Sequence, residues 1–347
     1  MSFMSKFEVV GNDAGDFLNH LATSDVDKVC GEIQYTQLLD DDGYMQADLT
    51  ICKLAEDRFL IVVTDTQHNH VLQHLKKRLD RKSHCFINDV TNKYAQINLM
   101  GPRSRELMEK LSLSSNGEFS NEGFKFRQAK EIEVGYCNVL AVRITYVGEL
   151  GWELYVPTEM AVSVFDKINE AHASLFEGEQ IPCVGLKALG SLRLEKGYRD
   201  FGHDLDNTDT IVEAGLSFTC DFEKVGGFVG RESVLAMKAR SKLKNGGMPK
   251  RMINIFCETD ADNVLFHHGE IVRRNGVAVG EIRAGSYGHT LGGCVGLCMA
   301  ESQDGEPITK KYLEEGKWTV EVGGSGEHRC EARLQPFYDP LNKRINI

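Results

Sequence analysis

A repeated order of strand, glycine turn and helix is the feature that most restricts how this chain can fold. Residues 6–10 form a predicted strand that ends at a glycine, and a helix with an apolar stripe follows. The same order returns at residues 94–100. The matching positions are Gly11, Leu18 and Leu21 in the first copy and Gly101, Met108 and Leu111 in the second. Such a duplication predicts two related α+β lobes with pseudo-twofold symmetry.

The chain is too long for one core, and its pattern changes in the last third. It has 347 residues, of which 41% are hydrophobic and only seven are proline, so we expect two or three folded domains. The basic segment 241–250, which contains a glycine pair and a proline, predicts a linker. Beyond it, short strands separated by glycine turns, with Asn275-Gly276 as a hairpin signal, predict a small β-barrel or sandwich.

Charge and composition exclude several classes of function. The net charge of −11 argues against a nucleic acid or an anionic membrane as the main partner. No apolar run reaches membrane-spanning length, and a strand predicted almost at the first residue leaves no room for a targeting peptide. Ten scattered cysteines are typical of reduced thiols in an intracellular compartment, and no set of metal ligands is expected.

One conspicuous acid lies at a glycine-bracketed turn in residues 139–157. An alternating run, predicted to be a strand as far as Tyr146, breaks at residues 148–151 and is followed by a second strand from Trp152. Glycines on either side of Glu149 allow a tight bend and a close approach of a ligand. A carboxylate between aromatic residues suits a flat ring with N–H donors on one edge, such as a pterin. The alternative is a hairpin whose glutamate is only solvated.

Two further charged residues lie among apolar neighbours. Asp48 is in the predicted strand 46–54, where an aspartate is costly to bury, so it is either a residue at the solvent edge or a functional one. Arg193 is in the predicted helix 185–196. It either extends to water or to an acid elsewhere in the chain, or it meets an anionic ligand group. The apolar stripe predicted for this helix consists of Leu186, Leu189 and Leu192.

Eight motifs, spread over almost the whole chain, resemble the aminomethyltransferase family, which is the T-protein of glycine cleavage. The similarity is greatest to the tetrahydrofolate-binding C-terminal half of sarcosine and dimethylglycine dehydrogenases. The motifs occur in the family's order and are KFEVVGNDA, QADLTIC, INLMGPRSRELM, RITYVGELGWELY, GSLRLEKGYRDFGHDLD, VEAGLSFTC, FVGRESV and PFYDPLNKRI.

The resemblance implies a fold and a cofactor. The fold is a three-part cloverleaf: two related α+β lobes within residues 1–225, around a central folate channel, and a C-terminal β-barrel within residues 245–347. The cofactor is tetrahydrofolate. Because no G-x-G-x-x-G lies between a strand and a helix, no FAD is expected in this chain.

The resemblance also implies roles for individual residues. The family's catalytic aspartate matches Asp48, in QADLT, and its pterin-anchoring glutamate matches Glu149, in YVGELG. Arg193, in SLRLE, matches an arginine of the folate site, and Tyr146 matches an aromatic residue near the folate. Thr64 falls at a strand end that lines the pterin site.

The implied activity is one-carbon transfer. A small methylated amine or iminium donor would supply a carbon at the formaldehyde level, giving 5,10-methylenetetrahydrofolate. A flavin dehydrogenase domain, in cis or in trans, would oxidise the amine. The alternatives are a non-catalytic regulatory or structural member, like the related subunit of pyruvate dehydrogenase phosphatase, and a stand-alone folate-dependent demethylase. The implied location is the mitochondrial matrix in a eukaryote and the cytoplasm otherwise.

Two positions depart from the T-protein pattern. Leu60 falls where T-proteins tend to have a tyrosine against the folate, and Phe266 where they have an arginine reaching from the barrel. These departures argue against a direct role in lipoyl-linked glycine cleavage.

Overall fold

A computed structural model describes residues 2–112, 117–243, 247–259 and 264–347. The first lobe is a five-stranded antiparallel sheet in the order β2-β3-β4-β1-β5. Its strands are β1 (Ser5–Val10), β2 (Ile33–Leu39), β3 (Met45–Ala55), β4 (Arg58–Val63) and β5 (Phe86–Asp89), and its helices are α1 (Ala14–Leu21) and α2 (His68–Arg78). Both helices bury their apolar stripes in one core with the sheet.

The second lobe repeats the first, except that β5 has no counterpart in the described part of this lobe. Its strands are β6 (Tyr94–Met100), β7 (Ala129–Val134), β8 (Cys137–Val142) and β9 (Gly151–Pro157), and its helices are α3 (Ser104–Leu111) and α4 (Ala161–Leu175). The order β6-β9-β8-β7 equals the order β1-β4-β3-β2 of the first lobe. The turn glycines Gly11 and Gly101 have nearly the same backbone angle, with φ of 127° and 132°. The predicted duplication is confirmed.

The last third of the chain forms a closed six-stranded barrel in the order β10-β13-β12-β11-β14-β15. Its strands are β10 (Lys250–Glu258), β11 (Ile271–Arg274), β12 (Val277–Gly288), β13 (Gly293–Glu301), β14 (Trp318–Val322) and β15 (Gly326–Arg333). Helices α5 (Leu186–Glu195) and α6 (Arg231–Leu243) precede the barrel, and α7 (Lys310–Glu315) lies within its sequence. Pairing of β10 with β15 closes it. The hairpin at Asn275-Gly276 has positive φ at both residues, as its sequence predicts.

The predicted linker is shorter than its sequence suggested. Of the segment 241–250, the first residues continue α6 to Leu243 and the last one begins β10. Residues 244–246 lie outside the described residues. No helix in the described part of the chain is both long enough and apolar enough to cross a membrane.

The apolar stripe predicted for α5 is wrong. Leu186 is 63% exposed, while the buried positions near the helix end include Ser191, Arg193 and Glu195. The reason is that this end of α5 packs between the lobes and the barrel, where its polar groups find partners. The Ser191 hydroxyl donates to the Tyr287 carbonyl at 2.6 Å. Partners in the barrel for Ser191 and in the segment after α5 for Arg193, and not helical periodicity, decide which face is buried.

The strand that leads to the glycine-bracketed turn also ends earlier than predicted. It stops at Val142 and not at Tyr146, so residues 143–150 form a loop between β8 and β9. Tyr146 and Glu149 therefore belong to one irregular segment, which we call the 143–150 loop. Irregular backbone can direct these two side chains independently, which a strand with its strict alternation cannot.

Candidate functional site

Asp48 is held by two side chains of the neighbouring strand. In the β2–β3 register Gln37 lies opposite Asp48, and its side-chain Nε2 donates to Oδ1 at 2.8 Å. The Tyr35 hydroxyl donates to Oδ2 at 3.0 Å. Both carboxylate oxygens are therefore oriented by hydrogen bonds. This arrangement favours the functional alternative for Asp48 over a residue that is only solvated.

The surroundings of Asp48 raise the pKa of its carboxylate towards neutral pH. Asp48 keeps some solvent exposure, but protein atoms enclose its carboxylate, and this burial raises its pKa to about 7. The hydrogen bonds from Gln37 and Tyr35 work in the opposite direction, and the nearby carboxylates of Asp200 and Asp204 add to the rise in pKa. A carboxylate with such a pKa can exchange a proton at physiological pH.

Arg193 meets acids elsewhere in the chain, which is one of its predicted alternatives. Its Nη1 donates to Asp204 Oδ2 at 2.8 Å and to the Tyr198 carbonyl at 2.9 Å, and Nη2 lies 4.0 Å from Asp200. The side chains of Arg193 and Asp204 are only 8% and 0% exposed. Arg193 thus neither reaches water nor presents a free guanidinium fork. Its charge is committed to a buried ion pair that fixes the segment after α5.

Arg199 is a site residue that sequence reasoning missed. Its guanidinium interacts electrostatically with Asp48 and Tyr35, and burial lowers its pKa. Its Nη1 donates to the Gly197 carbonyl, whereas Nε is buried without a hydrogen-bond partner among the described residues. A buried donor without an acceptor is costly, so this nitrogen can accommodate a water or a ligand atom, as can other buried atoms such as Trp152 Nε1. The only sequence signal was an arginine just after the helix-ending Gly197.

Tyr146 connects the 143–150 loop to the Asp48 group. Its hydroxyl donates to the Arg199 carbonyl at 2.7 Å, and its ring stacks on Tyr198 with centroids 6.0 Å apart and planes 12° apart. Burial raises the pKa of Tyr146 well above its ordinary value, and the negative charges of Asp48 and its neighbours contribute. The structure therefore brings Asp48, Tyr146, Arg193 and Arg199 into one cluster.

Glu149 lies farther along the same loop, in different surroundings. Its carboxylate accepts a hydrogen bond from the Tyr338 hydroxyl, near the end of the chain. The predicted placement between two aromatic rings is wrong, because Trp152 is fully buried in the core of the second lobe against Phe119 and Phe124. Of the two predicted rings, only Tyr146 lies outside this core.

Thr64 lies outside the cluster. Among the described contacts, its hydroxyl meets only Asp65 and Thr66, both at 3.4 Å. The departures at Leu60 and Phe266 have a simple structural basis: both side chains are core residues, 1% and 0% exposed. Neither offers a polar group to a ligand.

Two cavities flank the first lobe. One of about 290 Å³ is lined by Tyr35, which links it to Asp48, and by the cations Lys28 and Arg127. The other, of about 670 Å³, lies near His20 and the start of α6 and contains none of the predicted site residues. Neither of these two cavities is lined by Asp48 or Glu149.

Comparison with protein families identifies two matching regions. Residues 1–224 match the GCVT N-terminal domain, and residues 250–339 match the glycine cleavage T-protein C-terminal barrel domain. The crystal structure of the glycine cleavage system aminomethyltransferase T from Bartonella henselae has a similar fold. The superposition covers 98% of this chain and 85% of the Bartonella chain, with a TM-score of 0.78 and 22% sequence identity.

Some curated relatives are about as long as this chain, and others are much longer. An aminomethyltransferase from Halothermothrix orenii is 30% identical over 89% of this chain and 82% of its own length. A formaldehyde-forming 4-methylaminobutanoate oxidase from Paenarthrobacter nicotinovorans is 35% identical, and human mitochondrial sarcosine dehydrogenase is 30% identical, each over 99% of this chain. The chain spans only 39% and 37% of the lengths of these two larger proteins.

Proposed function

Because the chain belongs to the aminomethyltransferase family of the glycine cleavage T-protein, we propose that it binds tetrahydrofolate and forms 5,10-methylenetetrahydrofolate from a formaldehyde-level carbon. The observation that carries the proposal is the Asp48 carboxylate, oriented by Tyr35 and Gln37 and tuned to a pKa of about 7. Such a group suits proton transfer near neutral pH.

The residues of the chain divide the work between proton transfer and binding. Tetrahydrofolate supplies two nitrogens, N5 and N10, that hold the one-carbon unit between them. As the carbon passes from an iminium donor to both nitrogens, the demethylated amine leaves with the proton of N5, and N10 loses its proton to Asp48. The charge of Asp48 also favours the cationic donor. Asp200 and Asp204 lie close enough to raise the pKa of Asp48, so they add to the negative potential there.

The binding residues are matched to the chemistry of a pterin and its acidic tail. Glu149 accepts N–H donors from the pterin edge, and Tyr146 lies against the ring. The unpartnered Nε of Arg199 supports the presence of an acceptor atom from a ligand beside Asp48. The cavity next to Tyr35 is lined by two cations, Lys28 and Arg127, and by two acids, Asp25 and Asp221. Of these, the cations are the groups suited to the carboxylates of a folate tail.

The negative charge near Asp48 suits a cationic one-carbon donor. We propose a small methylated amine that reaches the site as an iminium. We assign its oxidation to a flavin dehydrogenase domain, in cis or in trans; the larger relatives are named as an oxidase and a dehydrogenase. If the source is eukaryotic, the mitochondrial matrix is the compartment we propose.

Replacing Glu149 with glutamine should weaken tetrahydrofolate binding by about tenfold or more, because a neutral amide accepts weaker hydrogen bonds than a carboxylate. Isothermal titration calorimetry measures this change. Glu131→Gln, at an exposed position of β7 in the same lobe, is the matched control and should bind like the wild type. Equal affinity of Glu149→Gln and the wild type would refute the role of Glu149.

The same titration, together with identification of the folate product, separates the candidate functions. Absence of tetrahydrofolate binding to the wild type would favour a regulatory or structural family member. Binding with formation of methyltetrahydrofolate instead of methylenetetrahydrofolate would favour the demethylase.

Replacing Tyr35 with phenylalanine should shift the pH dependence of transfer to higher pH. The Tyr35 hydroxyl stabilises the charged form of Asp48 and so lowers its pKa. Losing it raises that pKa above about 7, so the rising limb of kcat/KM against pH moves up by roughly half to one pH unit. The control is Tyr44→Phe, whose hydroxyl makes no hydrogen bond among the described residues. A shift to lower pH would contradict the assignment of this limb to Asp48.

A further inference from the structure

We infer that the C-terminal tail, residues 334–347, is part of the ligand site, and that Tyr338 positions the Glu149 carboxylate for a heterocycle with N–H donors. The inference rests on the proposed function and deepens it. The tail carries the motif PFYDPLNKRI, to which the proposed chemistry assigns no role.

The direct contact joins residues that are 189 positions apart. The Tyr338 hydroxyl donates to Glu149 Oε1. Burial raises the pKa of Tyr338 to about 12, with the hydrogen bond and the charge of Glu149 contributing, so this hydroxyl keeps its proton at neutral pH. A carboxylate has about four lone-pair sites. The bond from Tyr338 uses one of them and leaves Oε2 for a ligand.

A buried ion pair anchors the tail beside this contact. Lys196, just after α5, lies 3.1 Å from Asp339 through Nζ and Oδ2, and the two side chains are 1% and 9% exposed. The backbone N–H of Tyr338 donates to the Glu195 carbonyl at 3.1 Å. Tyr338 is therefore held on both sides to the end of α5.

The same lysine supports the turn that carries Glu149. Gly148 has φ of 75°, and a Cβ atom there would lie 2.9 Å from the Lys196 side chain. The turn thus packs directly on the lysine stem, which only glycine permits. Lys196 contacts the turn with its stem and the tail with its ammonium group, so both are built on one support.

A second anchor holds the other end of the 143–150 loop. Arg143, its first residue, is buried, and its Nη2 donates to the Ile345 carbonyl at 3.3 Å. Ile345 is itself 3% exposed, and Asn121 donates to the Asn346 carbonyl at 2.9 Å. The tail therefore clamps the loop at Arg143 and at Glu149. A carboxylate fixed in this way loses less conformational freedom when a ligand binds, so affinity rises.

The test compares two ligands on the full-length protein. Tyr338→Phe removes only the hydroxyl and should raise the Kd for tetrahydrofolate about five- to tenfold. For a desamino analogue, which lacks the pterin amino group, the rise in Kd should be smaller. The ratio of the two Kd values is therefore closer to one in Tyr338→Phe than in the wild type. Tyr136→Phe, at a fully exposed tyrosine of the second lobe, should change neither Kd.

The outcomes separate the inference from the proposed function. If the wild type fails to bind tetrahydrofolate, the proposed function is wrong. The positioning role of Tyr338 is wrong if the wild type binds tetrahydrofolate and Tyr338→Phe binds it equally well or more tightly. It is also wrong if Tyr338→Phe raises the Kd for both ligands by the same factor.

A double-mutant cycle gives a second measurement that global destabilisation cannot imitate. In the Glu149→Gln background, Tyr338→Phe should have little further effect on Kd, because the group it positions has already lost its charge. Fully additive losses would overturn the inference. Thermal unfolding of each variant shows that the proteins compared are folded.

Discussion

Replacing Asp48 with asparagine should slow one-carbon transfer by a factor of about 100 to 10,000 and leave the Kd for tetrahydrofolate within about threefold. An amide cannot take the proton that leaves during transfer. It can still accept the hydrogen bond of Gln37 and donate to the oxygen of Tyr35, so the geometry of the strand pair is kept. Single-turnover formation of methylenetetrahydrofolate measures the rate, and calorimetry measures binding.

The control for this variant is Asp42→Asn, at an exposed aspartate of the β2–β3 turn, which should retain wild-type rates. If Asp48→Asn turns over normally, proton transfer belongs to another group. If binding is lost together with the rate, Asp48 acts on the affinity for folate and not on the reaction.

Replacing Arg193 with methionine should lower the free energy of unfolding by about 3 to 5 kcal/mol. Its partner Asp204 is 0% exposed and would remain as a buried charge without a counter-ion. Asp204 also accepts the backbone N–H of Asp200 at 2.6 Å, so the segment next to the site would loosen as well. Chemical denaturation followed by circular dichroism measures the change in stability.

A double variant distinguishes a structural ion pair from a ligand-binding arginine. Arg193→Met combined with Asp204→Asn removes both charges and should recover part of the lost stability. Arg240→Met, at an exposed arginine of α6, should stay within about 0.5 kcal/mol of the wild type. Wild-type stability of Arg193→Met with loss of folate binding would instead make Arg193 a ligand residue.

The secondary structure and the duplication were predictable from sequence because local physics governs them. Strand alternation, helical stripes and glycines with positive φ at Gly11 and Gly101 act over about ten residues, so their signals are compact. The barrel was predictable for the same reason, from short strands and a turn at Asn275-Gly276 that requires positive φ.

The candidate site was predictable only in part. Asp48 and Glu149 stood out because each is a carboxylate in an unusual local setting. Arg193 was noticed for being charged among leucines, but its partner Asp204 could not be read from periodicity. Arg199 gave only the weak signal of an arginine just after a helix-ending glycine. Its importance comes from its electrostatic interaction with Asp48 and from a buried nitrogen that has no hydrogen-bond partner among the described residues.

The sequence by itself determined the two related α+β lobes, the barrel and the family, because these depend on patterns between near neighbours and on motifs in a set order. Only the tertiary structure decided which polar groups meet: Tyr35 with Asp48, Arg193 with Asp204, and Tyr338 with Glu149. The physical reason is that a buried charge or donor must find a partner wherever the fold brings one. For Glu149 that partner is a hydroxyl 189 residues away.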